Sequence, residues 1–285
     1  MTRLTPDMIS NVPRSLVKRD ADLVSDLDMT LKDLAYRSVG IGPHDLVMEG
    51  FVAASVPVSS GKGITGGFSE SVCSILEHLG MSAFTTRRPD VAGLSDAVAA
   101  KADIIFMADD EEFVALNRHA GKAVNNTRST ALGYVTALKK AVGGLNGKDV
   151  LLIGAGRVGS CAAELLVREN ARVTVFDIDR ERAKALQNKF DGLRACSDLR
   201  EAMLGSMMIF NASPATIPGE WVREGAVISS PGMPFSFDEA GIDKARTIIH
   251  DPLQLGVSVM AVWSASLTML RAPISLSNAV GLEVY

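Results

Sequence analysis

Aromatic side chains make up only 5% of the 285 residues, and the chain has just three cysteines and four histidines. Cys73, Cys161 and Cys196 are odd in number, far apart and free of any C-x-x-C pair, which excludes a disulfide scaffold and leaves reduced structural thiols. His44, His78, His119 and His250 show no metal-ligand spacing, so no metal is expected. No apolar run reaches the roughly 18 residues that a bilayer span needs, and the start, "MTRLTPDMISNVPRSL", lacks the apolar core of a secretory signal. A cytoplasmic protein without a membrane partner is expected. Lys plus Arg (29) against Asp plus Glu (33) leaves a net charge of -4 with no basic block, which argues against a nucleic-acid partner. What the chain does have is 47% apolar content, mostly aliphatic, over a length that suffices for two modest domains.

Thr5-Pro6-Asp7 reads as a helix start, and residues 6 to about 38 are expected to form two helices. The pattern then predicts strand 51–58, helix 68–79, strand 82–85, helix 92–100, strand 103–107 and helix 111–118. Such βαβ units require crossovers and hence a parallel sheet. A longer helix, about 127–142, ends in the turn-forming "GGLNGKD", and strands near 149–153, 172–176, 193–195, 207–211, 226–229 and 247–250 follow. The expected fold is α/β. A small N-terminal α/β domain with parallel strands (1–126) binds substrate, a linking helix follows (127–145), and a C-terminal Rossmann domain (146–285) binds the dinucleotide. The last helix, about 253–270, is apolar on most faces and is expected at the domain seam; the tail after Leu270 has no assignment.

The strongest chemical signal is "KDVLLIGAGRVGSCAAELL", in which Gly154, Gly156 and Gly159 follow a Val/Leu/Ile strand and open a helix, with Arg157 and Val158 between them. Gly154 permits the tight turn, Gly156 admits a pyrophosphate against the backbone, and Gly159 lets the helix lie close on the strand. The next strand ends in Asp177, 21 residues after Gly156, where a carboxylate accepts from both ribose hydroxyls and repels a 2′-phosphate. NAD is therefore the expected cofactor, although Arg180 and Arg182 keep NADP open. Ser213 and Pro231, at later strand ends, fit loops around a nicotinamide and equally fit ordinary strand termination.

Three polar segments of the first domain face this site. "VPVSSGKGITGGFSESV" invites comparison with a phosphate loop, but Lys62 is followed by Gly63 and Val56 stands where a Walker A glycine belongs. It is left as a flexible loop that exposes Ser59, Ser60 and Lys62, with Phe68 starting the next helix. In "IIFMADDEEF", Asp110 is a natural N-cap, and Glu111 and Glu112 suit a first helical turn; Asp109 remains, at a strand's carboxyl end, as a candidate for the cleft. In "AVNNTRST", one of Asn125, Asn126 and Thr127 caps the linking helix and another is free for a ligand.

These segments, with "RPDVAG", "GKAVNN", "SSPGMP" and "DPLQLG", make the chain closely resemble the pyrrolysine-synthesising dehydrogenases, the PylD family, from about Leu4 to Leu270. The resemblance implies an NAD-dependent enzyme that oxidises the isopeptide of L-lysine and 3-methyl-D-ornithine at its terminal amine carbon. The resulting aldehyde closes onto the other ornithine amine to give the pyrroline ring. It implies that Leu4, Ser60, Phe68, Asp109 and Asn126 surround the substrate, that Asp109 is catalytic, and that the N-terminal helix closes over the site. A homodimer is expected. The layout also resembles shikimate-type dehydrogenases, with Lys62 and Asp109 in the polar roles, and a sensor that keeps the nucleotide without turnover is a further alternative.

Overall fold

The computed structural model describes residues 4–269, and these begin with three helices rather than two: α1 (Pro6–Ile9), α2 (Val12–Leu27) and α3 (Leu31–Val39). Thr5 is extended at the start of α1 but makes no side-chain cap. The missed break lies at residues 10–11, where Pro13 opens α2. Asp28 then ends α2 in the left-handed region (φ 54°), and Thr30 caps α3 in a reciprocal box with Asp33. Buried Leu16, Leu23, Leu27, Leu31 and Leu34 turn one face of this helical layer inward.

The first sheet is built from β1 (Val52–Val56), β2 (Ser82–Thr85), β3 (Ile104–Ala108), β4 (Phe113–Asn117) and β5 (Lys122–Asn125), in the order β2-β1-β3-β4-β5. The helices α4 (Phe68–His78) and α5 (Asp90–Ala99) make the expected crossovers, and β1 pairs in parallel with β2 and β3. The expected helix over 111–118 is instead strand β4, and both β3/β4 and β4/β5 are antiparallel, so the sheet is mixed. The physical reason is visible in burial: Phe113, Ala115 and Asn117 alternate inward, a period of two that the acidic start disguised as a helix. Asp109 to Glu112 form the hairpin turn, so Asp110 caps no helix.

The linking helix α6 (Asn126–Ala141) leads to the second sheet. Its elements are β6 (Asp149–Ile153), α7 (Arg157–Arg168), β7 (Arg172–Phe176), α8 (Arg180–Lys189), β8 (Leu193–Ala195), α9 (Leu199–Gly205), β9 (Met208–Asn211), β10 (Val227–Ser229), α10 (Glu239–Lys244) and β11 (Thr247–Ile249). All pairings in it are parallel, in the order β11-β10-β9-β6-β7-β8. This is the doubly wound Rossmann order, whose strand direction of travel reverses between β6 and β9 and opens a ligand crevice there.

The final described helix, α11 (Gln254–Met269), returns to the first sheet. It runs along α6 and packs on α3, α4 and β4. Nearly every residue along it is buried, which explains its apolar faces. Gly133 of α6 permits the close crossing, since a Cβ there would lie 2.9 Å from Leu255 Cγ. Buried Asn117 of β4 ties the other end, donating to the Ser264 carbonyl at 2.6 Å. One continuous core therefore runs from Ile9 through both sheets to Leu267. Leu270 and the tail lie outside the described residues.

Candidate active site

The carboxyl ends of both sheets face a cavity of about 480 Å³. Among the described residues, no helix is long and apolar enough to cross a membrane, and no group of His, Cys, Asp or Glu comes together as a metal site. The three thiols are unpaired, and burial pushes each of them up from the ordinary range, which removes them as ready nucleophiles.

The Rossmann wall is set by its glycines. Gly154 has φ +93°, and a Cβ there would press on the Ala212 backbone at 3.1 Å. A Cβ on Gly159 would sit 1.9 Å from the Gly154 carbonyl, so only glycine lets α7 start this close to β6. Gly156, by contrast, would meet nothing within 4 Å and borders the cavity together with Arg157 and Val158. The free amides of the α7 N-terminus thus open onto space that a phosphate can fill, and the residues present fit a dinucleotide.

Asp177 is buried, with each carboxylate oxygen fixed by a backbone amide: Oδ2 accepts from Ala155 at 2.6 Å and Oδ1 from Asp179 at 2.8 Å. Two amides lock it in place, while each oxygen retains acceptor capacity. Arg182 borders the cavity but pairs with Asp179 at 3.3 Å. Pro231 borders the cavity, whereas Ser213 does not: its hydroxyl accepts from Ala215 at 3.0 Å, and its carbonyl accepts from Ser236 at 2.8 Å. Ser213 shapes the loop from behind.

The opposite wall carries Leu4, Phe68, Asp109 and Asn126 together. Phe68 stands edge-on to Phe113 at 5.2 Å, which makes an apolar floor. Asp109 Oδ1 accepts from the Glu111 and Glu112 amides, each at 2.8 Å, so the hairpin turn orients the carboxylate; among the described residues nothing bonds to its Oδ2. Asn125 caps α6 by accepting from the Thr127 amide at 2.8 Å, and Asn126 borders the cavity beside Met260, with its amide 3.1 Å from that sulfur.

The glycine-rich loop is held from outside. Asp110 accepts from the Lys62 amide at 2.8 Å, and Asp90 binds the Ser59 amide and hydroxyl at 2.7 and 2.6 Å. Gly63, Ile64 and Thr65 reach the cavity. Ser60 is exposed and lies outside the lining, so of the five expected substrate contacts it is the one the fold does not bring in.

Sequence reasoning missed Tyr134, and it missed the partners of two residues in segments it singled out, Asp251 of "DPLQLG" and Arg157 of the glycine motif. Tyr134, fully buried mid-helix, donates to the Asp251 carbonyl and accepts from the Asp251 amide, both at 2.9 Å; burial first, and then the Asp251 charge, hold its hydroxyl well above the usual range. Asp251 borders the cavity, accepts from the Leu255 amide at 3.0 Å and forms a buried ion pair with Arg19 of α2 at 3.1 Å. Arg157 reaches across the cleft to Glu112 and to the Glu111 carbonyl. Asp251 had a local signal, an acidic residue before Pro at a strand end, and Arg157 lay inside the glycine motif; Tyr134 had none. Charge is consequently segregated across the cavity: Asp109 and Asp110 lie at the first-sheet end and Arg157 and Arg182 at the glycine-loop end, while Asp251, at the end of β11 in the second sheet, is balanced by Arg19.

Residues 8–124 match the family profile described as "Pyrrolysine biosynthesis protein PylD, N-terminal domain", and residues 136–220 match that of shikimate / quinate 5-dehydrogenase. The chain is 33% identical over 263 residues to the pyrrolysine synthase of Methanosarcina barkeri, covering 91% of this chain and 97% of that protein. The pyrrolysine synthase of Methanosarcina acetivorans is likewise 33% identical, over 91% of this chain and 98% of its own. Among solved structures, quinate dehydrogenase from Corynebacterium glutamicum in complex with NAD superposes with a TM-score of 0.54 at 14% identity, over 76% of this chain and 93% of that one. At that identity the superposition speaks for the shared fold alone.

Proposed function

The chain belongs to the pyrrolysine synthase family, and from that premise we propose that it is an NAD-dependent dehydrogenase that oxidises the terminal amine carbon of the L-lysine/3-methyl-D-ornithine isopeptide. The observation that carries the proposal is the acidic first-sheet end of the cavity, formed by Asp109 and Asp110. Such an end favours a cationic amine over a hydroxy acid, whose carboxylate would meet like charge.

Gly156, Arg157 and Val158 would hold the pyrophosphate at the α7 N-terminus, and Asp177 the adenosine ribose. When bound, the nicotinamide supplies the hydride acceptor. The carbon can give up hydride only when its nitrogen carries a free lone pair, so the substrate ammonium first loses a proton. Hydride loss then leaves a cationic iminium. The Asp109 carboxylate, fixed through Oδ1 and unengaged at Oδ2, orients the amine, stabilises the developing cation and positions the incoming water. Water adds, ammonia departs, and the aldehyde condenses with the remaining ornithine amine, releasing water and closing the ring. Asn126 can both donate to and accept from the isopeptide amide, Phe68 packs its aliphatic part, and a site that holds the chain folded favours the closure.

Asp109→Asn is expected to lower kcat with the isopeptide by about 100-fold or more, since a neutral amide cannot stabilise the cation, while NAD affinity is retained. Near-wild-type turnover of this variant would exclude an essential charge there. The shikimate-type alternative needs a cation at the substrate end, and Lys62, its candidate, lies outside the cavity lining.

A further inference from the structure

Arg157 and Glu112 meet over the cleft, one from the glycine-loop helix and the other from the β3–β4 hairpin. Glu112 divides its two oxygens: Oε1 pairs with Arg157, and Oε2 accepts from the Asn125 side-chain amide. Asn125 is the cap of α6, whose first residue is Asn126. The same turn carries the Glu111 and Glu112 amides that fix Asp109, and its Glu111 carbonyl receives a second bond from Arg157. Arg157, the first residue of α7, is thereby joined, through a single side chain and a single turn, to the two groups that the proposed function places on the substrate.

We infer that Glu112 is a positioning residue that couples occupancy of the dinucleotide site to assembly of the substrate end, an inference that rests on the function proposed above. A pyrophosphate on the α7 N-terminus lies beside the Arg157 guanidinium and restricts it. Because that guanidinium is shared with the hairpin, restricting it also restricts Glu112, the Asp109 turn and the α6 cap. By linkage the effect is reciprocal, and substrate held by Asp109 and Asn126 tightens the dinucleotide. The Arg157 and Glu112 side chains are 44% and 48% exposed, and an ion pair so exposed contributes little to stability. Its consequence lies in coupling.

The test uses NADH with the isopeptide, a complex that cannot transfer hydride, with NADH affinity read from nicotinamide fluorescence. In the wild type, the isopeptide is expected to tighten NADH binding about fivefold or more. In Glu112→Ala the tightening is expected to fall below about twofold, while the affinity for NADH alone changes less than about threefold, as for loss of one exposed pair. Glu112→Gln, which keeps the side chain's shape, is expected to lose the tightening likewise and guards against a folding defect in the alanine variant. Full tightening in either variant overturns the inference. A wild type that oxidises the isopeptide yet shows no tightening overturns the coupling alone; one that neither binds nor oxidises it overturns the functional proposal and the coupling with it.

Discussion

Asp177 and Asp109 are both carboxylates at strand ends, but the chain treats them differently. Asp177 is buried and held by two amides, so the ribose that the proposal places there would meet a carboxylate already fixed. Asp177→Ala is expected to weaken NAD binding about 10- to 100-fold, the equivalent of about 1.5–3 kcal/mol for hydrogen bonds to a charged group; titration by calorimetry checks it, and an unchanged affinity would refute the ribose assignment. The place of Asp177 at the end of β7, bonded to the Ala155 amide of the glycine turn, was legible from its distance to Gly156. Glu112 was not: in sequence it reads as an acidic residue suited to a helix start, and only the hairpin brings it to Arg157, 45 positions away. Ser60 stands exposed outside the cavity lining, and a polar residue in a glycine-rich loop has no way of declaring which side of the loop it occupies.

At the scale of elements, the alternating strands and crossover helices of the second sheet were legible because each obeys its own period and ends in turn residues. The β4–β5 hairpin was hidden by competition between two local rules. Four acidic residues in a row satisfy the dipole preference of a helix start, while the five residues "FVALN" alternate inward as a strand, and tertiary burial against α11 decides for the strand. The α6–α11 crossing is the joint that carries the second sheet's end back to the first. Gly133→Val would force branched atoms into Leu255 and Val259, and is expected to cost about 1–3 kcal/mol of stability by overpacking. Urea unfolding followed by circular dichroism measures this; an unchanged midpoint would mean that the crossing is looser than its contacts indicate.

The molecule as a whole is held closed from several directions. α6 packs on strands of both sheets, α11 runs along it onto the first, the buried Arg19–Asp251 pair ties the helical layer to the cavity wall, and Arg157 spans the mouth. The polarity of the cleft follows from this arrangement: Asp109 and Asp110 at the first-sheet end, Arg157 and Arg182 at the glycine-loop end. No segment of the sequence carries that polarity by itself, because Asp109, Arg157 and Arg182 come from three separate stretches that only the closed fold assembles. The most direct measurement supplies the purified protein with NAD and the lysine/methylornithine isopeptide, follows the near-ultraviolet absorbance of reduced nicotinamide, and quantifies ammonia and the cyclised product by mass spectrometry. The account predicts NADH, ammonia and the pyrroline-ring product in equal amounts, with none when the isopeptide is replaced by shikimate. Reduction of the dinucleotide by shikimate, or binding of the isopeptide without any NADH, would contradict it.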